Sequence, residues 1–133
     1  MIAGVADTHA ALWYLFGDSR LSATAKSFFD EAGGSGRKIV LSVISLAEIV
    51  YLIEKNRLPS SAYEKLRQAL GVVDYVIDEV PVTTGIVDAM SRVSRADIPD
   101  MPDRIVAATG VYFGVPVIRR DGRIRASNIR TVW

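Results

Sequence analysis

The sequence predicts an α/β fold, with a central, mostly parallel sheet of four to five strands covered by helices on both faces. Short apolar runs alternate with longer helix-compatible stretches, which is the order a parallel sheet with helical crossovers requires. Glycines and prolines fall at the joints between these segments. The chain has 133 residues, half of them hydrophobic. That is enough for one domain with a core, read here as residues 1–133, and too little for two.

The elements follow in order. Ile2 to Ala6 is a short buried strand, and Asp7-Thr8 leads into an apolar helical segment from Ala10 to Phe16. Ser22 suits the cap of a second helix ending near Ala32, and Gly33-Gly34-Ser35-Gly36 breaks the chain before the strand Ile39-Val40-Leu41. Ser45 opens a helix to about Lys55, and Pro59, Ser60 and Ser61 open another that Gly71 closes. Val72 to Val80 is a third strand, interrupted by Asp74, Asp78 and Glu79. After Pro81 comes a helix from Thr84 to about Arg95, then a turn-rich stretch, then a helix from Asp103 to about Phe113 launched by Pro102. Val115 to Ile118 is a fourth strand, and Ile129 to Trp133 suits an edge strand. No repeat, low-complexity tract or interdomain linker interrupts this pattern.

Composition excludes several chemistries. Without cysteine, there is no thiol nucleophile, zinc-thiolate site or disulfide, and a reducing cytoplasm is the expected compartment. One histidine, His9, cannot build a His-rich zinc site, so a metal would be held mainly by carboxylates and water. The N-terminus carries no basic and long apolar export signal, and no apolar run is long enough to span a membrane. Charge is unevenly spread under a net +1: Asp74 to Asp103 holds seven acids against Arg92 and Arg95, while Arg104 to Trp133 holds six arginines against Asp121 alone. An anion-attracting surface beside an acidic pocket accounts for this, as do two differently charged solvated faces.

On this map Asp7 follows the first strand, Asp121 follows the fourth, Glu48 lies in the first turn after the second, and Asp103 opens the helix before the fourth. A parallel sheet brings all four to one edge. Carboxylates gathered there repel one another unless cations lie between them, and hard oxygen ligands select Mg²⁺ or Mn²⁺, the ions of phosphodiester hydrolysis. Each acid also has a structural explanation. Ser45-Leu46-Ala47-Glu48 matches a capping box, Asp7 or Thr8 suits a helix cap, Asp103 suits a positive helix end, and Asp121-Gly122 is a turn dipeptide. His9 reads as a surface group at a helix start. Trp13, Tyr14, Phe16 and Tyr51 read as core or interface aromatics rather than base-stacking ones. The Gly33 to Gly36 stretch lacks the Gly-Lys-Ser/Thr of a phosphate loop.

Val5-Ala6-Asp7-Thr8-His9-Ala10-Ala11-Leu12-Trp13, Ser45-Leu46-Ala47-Glu48-Ile49, Asp100-Met101-Pro102-Asp103-Arg104-Ile105-Val106-Ala107-Ala108 and Arg120-Asp121-Gly122-Arg123-Ile124 together resemble a PIN domain, closest to the VapC-type toxins. The resemblance covers nearly the whole chain. It implies a three-layer α/β/α PIN-like domain and a Mg²⁺- or Mn²⁺-dependent endoribonuclease, commonly dimeric, held inactive by a cognate VapB-like antitoxin. Carried over by position, Asp7 and Asp103 are the principal metal ligands, Glu48 completes the site directly or through water, and Asp121 is the fourth, more variable acid. Thr8 and Asp100 become supporting residues. Arg104, Arg119, Arg120 and Arg123 are expected to attract the RNA backbone. Relatives often carry Thr or Ser two residues before the fourth acid, whereas this chain has Arg119.

Two other classes compete with this reading. One is a non-catalytic PIN-like RNA-binding module. The other is a receiver-like phosphoacceptor domain, which calls for an acidic pair at the first strand and a late lysine, whereas Asp7 stands alone and no lysine follows Lys65. A haloacid-dehalogenase-like phosphatase would need Asp-x-Asp where the chain reads Asp7-Thr8-His9.

Overall fold

In a computed structural model that describes residues 1–120 and 129–133, β1 (Ile2–Ala6) is the middle strand of the sheet. It is flanked on one side by β2 (Lys38–Ser42) and then β3 (Ile77–Val80), and on the other by β4 (Val117–Ile118) and then β5 (Thr131–Val132). All four pairings are parallel, with Ala6 beside both Leu41 and Ile118. The order β3-β2-β1-β4-β5 differs from the 2-1-3-4-5 order of flavodoxin-like and receiver folds, so the receiver-like alternative is not supported. The chain winds outward through β2 and β3, then returns across the sheet to β4. The two directions of winding part between β1 and β4. Ligands of open α/β sheets sit at such a switch point, beyond the carboxyl ends of the strands.

Side chains alternate along the strands and divide the core into two layers. Ala6, Ile39, Leu41, Ile77 and Ile118 pack under α1 (Thr8–Phe16), α2 (Ala23–Gly34), α3 (Val43–Glu54) and α4 (Ser61–Leu70), where Phe29, Ile49 and Leu66 are fully buried. Val5, Val40 and Val117 face the opposite way, against α5 (Thr84–Ala89), a 3₁₀ turn at Met90–Arg92, and α6 (Met101–Phe113). The result is the expected three-layer α/β/α arrangement. Close packing at its centre depends on two glycines. A Cβ at Gly4 would lie 2.9 Å from the Phe28 ring and 3.2 Å from the Pro116 carbonyl, and one at Gly110 would lie 2.8 Å from a Val117 methyl. Among the described residues no helix is long and apolar enough to cross a membrane.

Several elements depart from the sequence reading for local reasons. The helix expected from Ser45 starts at Val43, because Ser42 is in extended conformation and its hydroxyl accepts the Ile44 N–H at 3.2 Å. Ser45 is thereby fully buried inside the first turn. The glycines at 33 and 34 end α2 rather than precede the break, and Gly36 takes the positive φ of 72° at the turn. The third strand keeps only Ile77–Val80, since Val72 to Tyr75 forms a turn closed by Tyr75 N–H on the Val72 carbonyl, with Val73 89% exposed. The helix after Pro81 is capped by Thr83 and gives way at Met90 to the 3₁₀ turn. At the fourth strand, Val115 N–H is spent on the Gly110 carbonyl and Pro116 has none, so β4 begins only at Val117.

Candidate functional site

Asp7 leaves β1 at the switch point, and its N–H still bonds the Ile118 carbonyl of β4 at 3.1 Å. Its backbone stays extended (φ −75°, ψ 171°), and one carboxylate oxygen accepts the Ala10 N–H at 2.8 Å as the cap of α1. The cap therefore belongs to Asp7, which leaves the Thr8 hydroxyl for another task. Thr8 is buried, and its Oγ1 donates to Glu48 Oε1 on α3, forty positions away in the chain. Glu48 thus turns to α1 instead of closing a capping box on Ser45. That box has no role here, because Ser42 is the cap.

Asp103 lies in the first turn of α6, where negative charge favours the helix end. Asp100 caps this helix, its carboxylate accepting the Asp103 N–H at 3.2 Å. Asp100 supports Asp103 through the backbone. From beyond β4, Arg119 Nη2 donates to Asp103 Oδ2 at 3.0 Å, with the Arg119 side chain 10% exposed and that of Asp103 31% exposed. Burial pushes the Asp7 carboxyl up from its ordinary 3.8 to about 6, with a smaller push from Asp103. The Ala10 N–H and the charges of Arg119 and His9 pull it partly back.

Asp7, Thr8, Glu48, Asp103 and Arg119 meet in one cleft of about 220 Å³, with His9 and Val106 completing its wall. A second cleft of about 270 Å³ shares Asp7, His9 and Arg119 with the first and extends to Trp13 and Arg120. Arg104 lines neither cleft, and its guanidinium donates to the Met90 and Val93 carbonyls at 3.2 and 3.4 Å. Asp121 and Arg123 lie outside the described residues. Trp13 as a cleft wall escaped the sequence reading. Its signal was the four-residue spacing from His9, which puts the two side chains on one face of α1; their ring centroids are 5.6 Å apart.

Among the described residues no group of three or more His, Asp or Glu is arranged to hold a metal ion. The donor chemistry nevertheless fits a hard divalent cation. The cleft offers carboxylate and hydroxyl oxygens and no thiol, and Asp7 brings a carboxylate of which one oxygen accepts the Ala10 N–H. Burial raises the Asp7 carboxyl, a cost that a cation in the cleft would offset.

An α/β sheet with acids gathered at its switch point defines the class of this site. The particular family follows from the sequence: the PIN domain family model matches residues 5–128, and the chain belongs to that family. No curated protein matches it. Its fold is similar to that of a chain in the crystal structure of VapBC2 from Rickettsia felis bound to a DNA fragment from their promoter. There the TM-score is 0.70 at 12% identity, covering 98% of this chain and 97% of that one. A toxin-antitoxin complex from Klebsiella pneumoniae is also similar, with a TM-score of 0.59 at 19% identity, covering 90% of this chain and 87% of that one.

Proposed function

We propose that the protein is a VapC-like toxin: a Mg²⁺- or Mn²⁺-dependent endoribonuclease that acts as a single cytoplasmic domain and is restrained by a VapB-like antitoxin. The observation that carries this reading is the convergence of Asp7, Glu48 and Asp103, from three separate elements, on one cleft at the switch point. Membership in the PIN family supports nuclease chemistry. The two similar structures support an antitoxin partner, since one is of VapBC2 and the other is a toxin-antitoxin complex. Exposed Phe16 on α1, with Val50 and Tyr51 on α3, supports a homodimer.

In this reading Asp7 and Asp103 hold the cation, Glu48 completes the set directly or through water, and Asp121 enters as the fourth acid on the family resemblance alone. A bound Mg²⁺ or Mn²⁺ supplies activation of a water and neutralisation of charge on the leaving oxygen. The chain's own groups do the rest. Thr8 fixes the Glu48 carboxylate through its hydroxyl, Asp100 fixes the start of α6 and with it Asp103, and Arg119 and Arg120 attract the phosphate backbone. Arg123 contributes to that attraction on sequence grounds alone, and Arg104 acts at longer range through its charge.

The test is incubation of purified, antitoxin-free protein with total cellular RNA and Mg²⁺ or Mn²⁺, beside an EDTA control and the Asp7→Asn variant. Discrete fragments that vanish in both controls are expected, and mapping their ends identifies the substrate. One observation favours the non-catalytic RNA-binding alternative: Arg119 already pairs with Asp103 and Thr8 with Glu48. Binding of RNA without cleavage, unchanged by acid-to-amide substitution, would establish that alternative instead.

A further inference from the structure

The second cleft combines features that the acidic site does not use. Trp13 is half-buried and packs against the core, with Trp133 beside it at 5.9 Å between ring centroids. Two guanidinium groups stand over its ring, Arg20 at 5.1 Å and Arg120 at 5.8 Å from the centroid. Arg20 is fixed there by Asp18, which accepts its Nε at 3.1 Å and its Nη2 at 2.7 Å. An indole ring that holds planar cations in this way also offers the surface on which a planar base stacks. The guanidinium and imidazole groups around it complement the phosphates that accompany a base.

We propose that the cleft formed by His9, Trp13 and Arg120 is a subsite for one unpaired nucleotide of a single-stranded RNA, its base stacked on Trp13 and its phosphate held by Arg120. The base takes the place over the indole now held by the Arg120 guanidinium, which moves to the adjoining phosphate. Asp7 and Arg119 belong to both clefts, so a strand seated on Trp13 continues directly into the acidic site. A duplex cannot present a base face to Trp13 without unpairing it, so the subsite selects single strands. An acidic peptide would satisfy the arginines but make no use of the ring. The assignment rests on the ribonuclease reading for the identity of the strand, but not for the fact of stacking.

The experiment is fluorescence anisotropy in EDTA with a fluorescein-labelled oligouridylate of about eight nucleotides, within the length range that single-strand grooves accommodate. Binding to the parent protein is expected. Trp13→Leu fills the packed side of the position without a π face and should weaken binding about tenfold, while Trp13→Phe should recover most of the loss. Arg120→Gln should weaken binding and reduce the slope of log affinity against log salt by about one. Thermal melting of each variant separates this effect from loss of the fold, and the Phe and Gln variants keep the test decisive if the Leu variant does not fold. Equal affinity for parent and Trp13→Leu, or for single-stranded and duplex probe, would overturn the subsite. So would binding of an oligoglutamate peptide in place of RNA. EDTA removes cleavage from the measurement, so absence of nuclease activity in the separate RNA assay leaves a Trp13-dependent affinity standing, and intact cleavage with no such dependence removes only the subsite.

Discussion

Arg119 Nη2 lies 3.0 Å from Asp103 Oδ2 and joins the end of β4 to the first turn of α6 in the lining of the acidic cleft. The proposed cation ligand is therefore already neutralised by a cation of the chain itself. A charged group that loses its buried partner is costly, here roughly 1–3 kcal/mol because Asp103 is partly open to water. Arg119→Gln should lower the melting temperature of the metal-free protein. It should also lower the Mn²⁺ concentration that gives half of the metal-induced rise in melting temperature, since the ion no longer competes with a guanidinium. A thermal-melt titration with Mn²⁺ reads both effects. Arg119→Lys, which keeps the charge, should fall between them.

Asp7 predicts a pH-dependent cost of function. Its carboxyl titrates near 6 in the folded chain against 3.8 ordinarily, mainly because of burial. The folded state then binds more protons than the unfolded state between these values, so stability falls as pH rises through that window. The stabilisation is complete below about 4 and lost above about 6. Asp7→Asn keeps an acceptor for the Ala10 N–H and removes the buried charge. In EDTA at pH 7 it should be more stable than the parent by roughly 1–3 kcal/mol, with the difference closing toward pH 4. Urea unfolding across that range would contradict this account if the parent were the more stable at pH 7.

The hydroxyl of Thr8 ties the start of α1, beside Asp7, to Glu48 on α3. Thr8→Val preserves shape but leaves a carboxylate oxygen without its donor, a loss of about 1–3 kcal/mol for a bond to a charged group. Thr8→Ser should keep the bond and most of the stability. If Glu48 is fixed through Thr8, the Val variant should also cleave RNA more slowly while Ser stays near the parent, which separates positioning of Glu48 from simple packing.

The sheet and the convergence of the acids were legible because both depend on order along the chain. Once strands alternate with helices, residues that follow strands must share an edge, so the sequence alone brought Asp7, Glu48 and Asp103 together. What it could not resolve was competition between local groups. Ser45 and Glu48 have the spacing of a capping box, yet Ser42 takes the cap and frees Glu48 for Thr8. Trp13 reads as one more apolar residue of α1; its spacing from His9 shows which residue shares its face, but not that Arg20 and Arg120 arrive over its ring from elsewhere in the chain. Arg104 and Arg119 look alike in sequence, but one is spent on the carbonyls of Met90 and Val93 while the other reaches Asp103.

Gly110 tests whether the packing of α6 on β4 sets the geometry of the site. A Cβ there would lie 2.8 Å from a Val117 methyl and 3.2 Å from the Val115 carbonyl oxygen. The methyl can turn, but the backbone carbonyl cannot without moving the start of β4. Alanine favours a helix interior by up to about 1 kcal/mol over glycine, and the clash opposes this with roughly 1–3 kcal/mol. Gly110→Ala should therefore be destabilising overall, by about 1 kcal/mol in urea unfolding. Its further consequence is at a distance: α6 carries Asp103 and β4 leads to Arg119, so separating them stretches the 3.0 Å pair. A double-mutant cycle of Gly110→Ala with Arg119→Gln should show coupling, with the alanine costing less once the arginine is gone. Strict additivity would mean that α6 and β4 separate locally and that the acidic cleft does not depend on their fit.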